Sequence, residues 1–254
     1  MKKAVFLFLC LPIFLLFSQG TFAQTMNKGA VKPFNDGLAK SNKGDYKDAL
    51  ADFENALKFD KDYRIYYQIG FAQMKLNNPA EAISNFKSSI AANPKFDAAY
   101  NDLGNVYYSE SKYQDAIDNF QKVLEISKNS STISAVKFNL ALSNTSLAST
   151  AEQNKQYKKA IGLLNKAVGF DKYDGAYLAL ARNYVEVSEY DRAIQAAEKA
   201  LKYRKAIKET GPEYYLGIAY SQKGEMKKAK EYLNKAKKDP VYASAAETVL
   251  KAIK

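Results

Sequence analysis

The sequence predicts an all-α solenoid, about six antiparallel helix pairs stacked in a row and closed by a C-terminal helix. Three observations carry this. Ala49 with Phe53, Ala82 with Phe86 and Ala116 with Phe120 recur at spacings of 33 and 34 residues. A glycine precedes each pair by twelve residues, at Gly37, Gly70 and Gly104. Within a copy, apolar residues fall on the 3.6-residue period of an amphipathic helix. A hairpin of that size cannot bury its apolar face alone, so copies must stack on one another.

Taken in order, the chain opens with Met1, Lys2 and Lys3, an apolar run from Ala4 to Phe17, and a small-residue ending at Ala23. This is the pattern of a secretory signal peptide, with cleavage expected after Ala23. The run of fourteen apolar residues is shorter than the ~18 a spanning helix needs, which disfavours a retained anchor. Cys10 sits in mid-run behind Leu9 and reads as an apolar residue lost on processing. The processed chain then has no cysteine for disulfides or thiol chemistry. Residues 24–31 are expected to be a flexible lead.

Six copies follow, at approximately 32–62, 63–96, 97–130, 131–173, 174–209 and 210–239. In the third, Ala99, Tyr100, Leu103, Gly104 and Tyr107 mark one apolar helix face. After a turn at Glu110, Ser111 and Lys112, the residues Tyr113, Ala116, Ile117, Phe120, Val123 and Leu124 mark a second. Later copies keep the register with changed residues, through Ala160 and Leu164, Ala193 and Ala197, and Ala229 and Leu233. Copies four and five replace the first-helix glycine by Ala141 and Ala181, which are also small. From Ala116 to Ala160 the spacing is 44, and the surplus of ten lies around Ser143 to Asn154, which predicts a longer helix pair or a protruding loop. A smaller surplus surrounds Thr210, Gly211 and Pro212. Residues 240–254 carry Val241, Ala245, Val249 and Ile253 at helical spacing and are expected to cap the stack.

Leu103, Gly104 and Tyr107, Tyr113 with Ala116, Phe120, and Asn93 with Pro94 resemble the signature of the tetratricopeptide (TPR) family. The resemblance covers roughly Lys32 to Asp239. It implies a right-handed superhelix whose first helices line a concave face that binds a peptide or protein segment. The groove residues it implies are Tyr67, Phe71 and Met74 in copy two, Asn101, Asn105 and Tyr108 in copy three, Phe138, Asn139 and Leu142 in copy four, and Arg182 in copy five, with Leu178, Tyr214 and Ile218 in matching places. Asparagine carboxamides both donate and accept, which suits an extended peptide backbone. The aromatic residues suit apolar anchors and Arg182 a carboxylate. Phe34, Leu38 and Gln68 stand where the chaperone-binding branch of the family carries a carboxylate clamp, so that clamp is absent.

The composition argues against an enzyme. The chain has no histidine, and its one cysteine lies in the leader, which removes the commonest bases, nucleophiles and transition-metal ligands. No phosphate loop, dinucleotide glycine pattern or nucleophile elbow occurs. No cofactor and no metal are therefore expected. Acidic pairs such as Asp45 with Asp48 and Asp115 with Asp118 lie at the starts of second helices, where carboxylates favour the positive helix end. The formal charge is +11, of which Lys2 and Lys3 supply two. Between Lys199 and Lys238 twelve Lys or Arg stand against four Glu, so the excess is local. A solvated helix face is the ordinary reading. The functional alternative is contact with an anionic envelope surface, lipid or wall polymer. No nucleic-acid reading motif is present. The expectation is an exported, periplasmic or extracellular scaffold with a protein or peptide partner and no transmembrane span once the leader is removed.

Overall fold

The computed structural model describes residues 26–253. The leader expected at 1–23 lies outside the described residues. Among those described there are thirteen α-helices and no strand. They are α1 (Lys28–Lys43), α2 (Tyr46–Leu57), α3 (Tyr63–Lys75), α4 (Pro79–Ala92), α5 (Asp97–Ser109), α6 (Tyr113–Ile126), α7 (Ser130–Gln153), α8 (Tyr157–Phe170), α9 (Asp174–Glu186), α10 (Tyr190–Lys202), α11 (Gly211–Gln222), α12 (Met226–Ala236) and α13 (Ala243–Ala252). Consecutive helices pair as hairpins, each hairpin packs on the next, and α13 closes the row against α12. No described helix is long and apolar enough to cross a membrane.

One contact is repeated down the stack. A Cβ added at Gly37, Gly70 or Gly104 would lie 2.6, 2.8 or 2.7 Å from the ring of Phe53, Phe86 or Phe120, sixteen residues further on. Each ring packs against the bare backbone of its partner helix and is fully buried or nearly so. In copy six Leu233 takes the place of the ring against Gly217 at 2.6 Å. These contacts set how closely the two helices of a hairpin approach.

The turns inside the hairpins repeat as well. Gly44, Asn77, Ser111, Lys155, Ser188 and Gly224 all have positive φ, from 56° to 89°. Each ends a first helix in the left-handed conformation that reverses the chain. Five of the six lie seven residues after the small residue assigned from sequence: Gly37, Gly70, Gly104, Ala181 and Gly217. Lys155 does not follow Ala141 by seven. It follows Ala148, which is buried and stands twelve residues before Ala160 and sixteen before Leu164. The small residue facing α8 is therefore Ala148, a correction to the assignment of Ala141. Ala141 is also buried, two turns earlier on the same helix.

This shift accounts for seven of the ten surplus residues in copy four. The extra residues form no loop; α7 is a single helix of 24 residues, against 13 for α5 and α9. Seven extra residues are close to two full turns, so one face of the helix is kept along its whole length. The lengthened helix serves two neighbours at different heights.

Two further boundaries differ from expectation. The first helix begins at Lys28, so residues 28–31 of the expected lead are helical. Asn27 caps this helix by accepting the Gly29 N–H at 2.9 Å, and Met26 and Ala30 are buried in the first hairpin. The surplus near Thr210 is the non-helical connection from Tyr203 to Thr210. It is held by carboxylates. Asp174, only 2% exposed, accepts from the N–H groups of Lys205, Ala206 and Ile207 at 2.5, 2.7 and 3.0 Å. Asp239 accepts from Thr210 N–H at 2.6 Å.

Candidate functional site on the first-helix face

The stack places α3, α5 and α7 side by side, and their outward residues meet in one polar network. Tyr67 on α3 donates its hydroxyl to Asp102 Oδ2 on α5 at 2.8 Å. The side-chain amides of Asn101 and Asn105 donate to Asp102 Oδ1 at 3.1 and 3.4 Å. Asn105 in turn accepts from the Asn139 amide on α7 at 3.3 Å. Four of the residues singled out from sequence, Tyr67, Asn101, Asn105 and Asn139, are thus joined through a fifth that was not. Asp102 is half-buried. Burial pushes its carboxyl above the ordinary range, and the hydrogen bonds from Tyr67, Asn101 and Asn105 work against that rise.

Aromatic residues frame the network. The Tyr67 ring packs against Phe96, Phe86 and Phe71, with centroids 5.0, 5.8 and 6.4 Å away. Phe71 also meets Tyr46 edge-on at 6.2 Å, and the Lys75 ammonium lies 5.1 Å from its centre. Met74 is half-buried beside them. Tyr108 shares a hydrogen bond of 3.1 Å with Ser146 on the lengthened part of α7. Tyr108, Asn139 and Leu142 gather around Phe120 with no room for a water between them. Phe138 is 41% exposed and meets Tyr173 edge-on at 5.8 Å. Among the tyrosine pairs, Tyr107 is buried and Tyr108 half-buried, whereas both members of Tyr66 with Tyr67 and of Tyr214 with Tyr215 are half-buried.

Arg182 stands apart from this group. The sequence pointed to a guanidinium ready for a partner's carboxylate, but the structure gives it one from its own chain. Its Nη2 pairs with Glu152 Oε2 at 2.5 Å, and Asn183 donates to the same carboxylate. Glu152 lies in the last turn of α7, which the added turns carry up to the height of Arg182. Behind Arg182, burial pushes the Tyr215 hydroxyl up to about 12. Tyr242, just before α13, stacks on Tyr214 at 5.1 Å, and its hydroxyl lies beside Gly211. The segment leading into α13 therefore covers the first-helix face of copy six.

No cluster of three or more His, Cys, Asp or Glu placed to hold a metal occurs among the described residues. In the basic stretch, Arg204, Lys223, Lys228, Lys235 and Lys237 are paired with acids, while Lys199 and Lys202 lie over the rings of Tyr177 and Tyr203.

Models of the tetratricopeptide repeat match residues 35–63, 63–96, 98–130 and 178–247, most of the described chain. The chain belongs to the tetratricopeptide repeat family. The stretch from 131 to 177, outside those matches, holds the lengthened α7 of this TPR array. Among curated proteins, the chain is 29% identical over 127 residues to the small glutamine-rich tetratricopeptide repeat-containing protein of Dictyostelium discoideum, covering 50% of this chain and 36% of that one. It is 26% identical over 89 residues to the photosystem I assembly protein Ycf3 of Rippkaea orientalis, covering 34% of this chain and 51% of that one. The chain thus spans about a third to a half of the length of these relatives. Among solved structures, YrrB, described as a TPR protein with an unusual peptide-binding site, superposes with TM-score 0.54 at 20% identity, covering 78% of this chain and 97% of that one. MamA from Desulfovibrio magneticus does so with TM-score 0.50 at 18% identity, covering 72% and 99%. Both likenesses are of fold. TPR proteins generally mediate protein–protein interaction.

Proposed function

We propose that this TPR array is a non-enzymatic scaffold, working outside the cytoplasm, that holds an extended segment of a partner protein along the face formed by α3, α5 and α7. The observation that carries this is the Tyr67–Asp102–Asn105–Asn139 network. It sets the carboxamides of Asn105 and Asn139 side by side, with Asn101 on the same carboxylate as Asn105, next to the exposed ring of Phe138. Carboxamides of this kind bond both groups of a peptide backbone, and the neighbouring rings supply anchor sites for apolar side chains. The leader at residues 1–23 supports export, and the lack of histidine supports a role other than catalysis. YrrB, of similar fold, carries a peptide-binding site by its own description.

The test is a triple variant, Tyr67→Phe with Asn101→Ala and Asn105→Ala. Phenylalanine at 67 keeps the ring packing against Phe86 and Phe96 while removing the hydroxyl. Pull-down from the native envelope fraction is expected to recover the partner with the wild-type chain and to lose it with the variant, whose helical circular dichroism shows that it remains folded. Capture that survives the triple change would rule out this face. Export is checked by fractionating cells that express the chain with and without residues 1–23.

A second reading, contact with an anionic envelope surface through the basic end, is favoured by one observation. Lys199, Lys202, Lys227 and Lys230 have no acidic partner among the described residues. Binding to anionic liposomes that vanishes at moderate salt is its expected signature; no binding even at low salt refutes it.

A further inference from the structure

Asp102 brings a charge into a network whose other members are neutral. The positions two residues before the small residue hold Asn35, Gln68, Asp102, Ser146, Ala179 and Tyr215 in copies one to six, an acid in copy three alone. The carboxylate accepts from Tyr67 on Oδ2 and from both asparagines on Oδ1, where an amide would offer one oxygen, and it brings a negative charge with it. The carboxylate nonetheless has only neutral donors: Tyr67, Asn101 and Asn105 fill three of its roughly four acceptor sites. Among the described residues no lysine or arginine forms an ion pair with it. Two other shielded acids have a cation, Asp62 in Arg64 at 2.6 Å and Glu152 in Arg182 at 2.5 Å, while Asp174 is held by backbone N–H groups. Lys75 acts on Asp102 from a distance, and its ammonium is placed over Phe71 instead. A partly buried charge without a counter-charge is unfavourable, and a cation brought by a ligand relieves it.

We infer that Asp102 is the seat for a lysine or arginine side chain of the bound segment. The cationic head meets the carboxylate in a charge-assisted hydrogen bond, and the aliphatic stem lies along the rings of Tyr67 and Phe71. Phe71 already accepts one ammonium from Lys75, so a cation is compatible with this aromatic wall. The carboxamides of Asn105 and Asn139 are adjacent and hold the backbone on either side of that residue. This polarity is opposite to that of the family's carboxylate clamp, whose residues are missing here. The inference rests on the groove reading above and adds the chemistry of the partner.

The test uses a library of N-acetylated, C-amidated octapeptides screened against the purified chain. Selected peptides are expected to be enriched in lysine or arginine at one position. Replacing that residue by norleucine should weaken binding by about tenfold or more, the worth of one charge-assisted bond. In Asp102→Asn the ratio of the two peptides' affinities should fall to near one, whatever the variant's overall affinity. Selected peptides without cationic enrichment, or an unchanged preference in Asp102→Asn, overturn the cation seat and leave the groove reading standing. Selected peptides that bind the triple variant undiminished, or no selected peptide at all, overturn both. The norleucine exchange is read on the wild-type chain, so the result does not depend on how well the variant folds.

Discussion

At the scale of single residues, the contact between Gly104 and Phe120 shows how a missing side chain shapes a hairpin. A methyl group on residue 104 would lie 2.7 Å from Phe120 Cε1, so the ring or the helix must move. Gly104→Ala is expected to destabilise the chain despite alanine's better helix propensity. Overpacking costs about 1–3 kcal/mol, against a gain of ~1 kcal/mol from leaving glycine behind. Gly162 is the control. It lies in α8, is exposed, and has nothing within 4 Å of an added Cβ. Gly162→Ala is expected to stabilise by about 0.5–1 kcal/mol. Urea unfolding of the two variants checks both signs; two shifts of the same sign would refute the packing account.

At the scale of elements, the connection between α10 and α11 depends on a buried carboxylate. Burial pushes the Asp174 carboxyl up, but the N–H groups of Lys205, Ile207, Ala206 and Gly175 outweigh it and hold it below its ordinary value of 3.8. A carboxyl lowered on folding contributes stability that is present above the ordinary value and is lost as pH falls through the lower folded one. Asp174→Asn is expected to cost about 1–3 kcal/mol at neutral pH, since a neutral acceptor replaces a charged one at buried N–H groups. Melting curves from pH 7 down to pH 3 should show the gap between wild type and variant closing only at the acid end. A gap independent of pH would show that the charge of Asp174 plays no part. Asp102 has the opposite sign. Its carboxyl is raised, so its contribution becomes less favourable as pH rises past the ordinary carboxylate value.

At the scale of the whole molecule, α7 joins two runs of hairpins offset along its axis. Removing residues 143–149 would bring Ala141 to twelve residues before the residue now numbered Ala160, the spacing of the other copies. Seven residues turn a helix to within ~20° of where it began, so the buried face is retained and the halves move together by about 10 Å. Deleting five residues turns the face by roughly 140° and should expose the packing of α7 against α8. The expected outcome is cooperative unfolding with the seven-residue deletion and its loss with the five-residue one, followed by circular dichroism. Equal behaviour of the two would refute the two-register account of α7.

The hairpins were legible in the chain because their causes are local. A 3.6-residue apolar period, a small residue and a ring sixteen positions apart, and a reversal seven residues after the small one all lie within one copy, where spacing is geometry. The surplus around residue 143 was visible for the same reason, but not whether it formed a loop or a helix. Tyr67, Asn101, Asn105 and Asn139 could be placed on one face from the repeat register alone. Their partner Asp102 could have been found from its place two residues before Gly104, where copies one and two carry the amides Asn35 and Gln68. That Arg182 meets Glu152, that Asp174 holds residues 205–207, and that Asp102 has neutral donors and no cation were decided only when the hairpins stacked. The cross-helix bonds in these groups join residues about 30 or more positions apart, and which of them touch depends on the height at which α7 delivers one half of the array to the other.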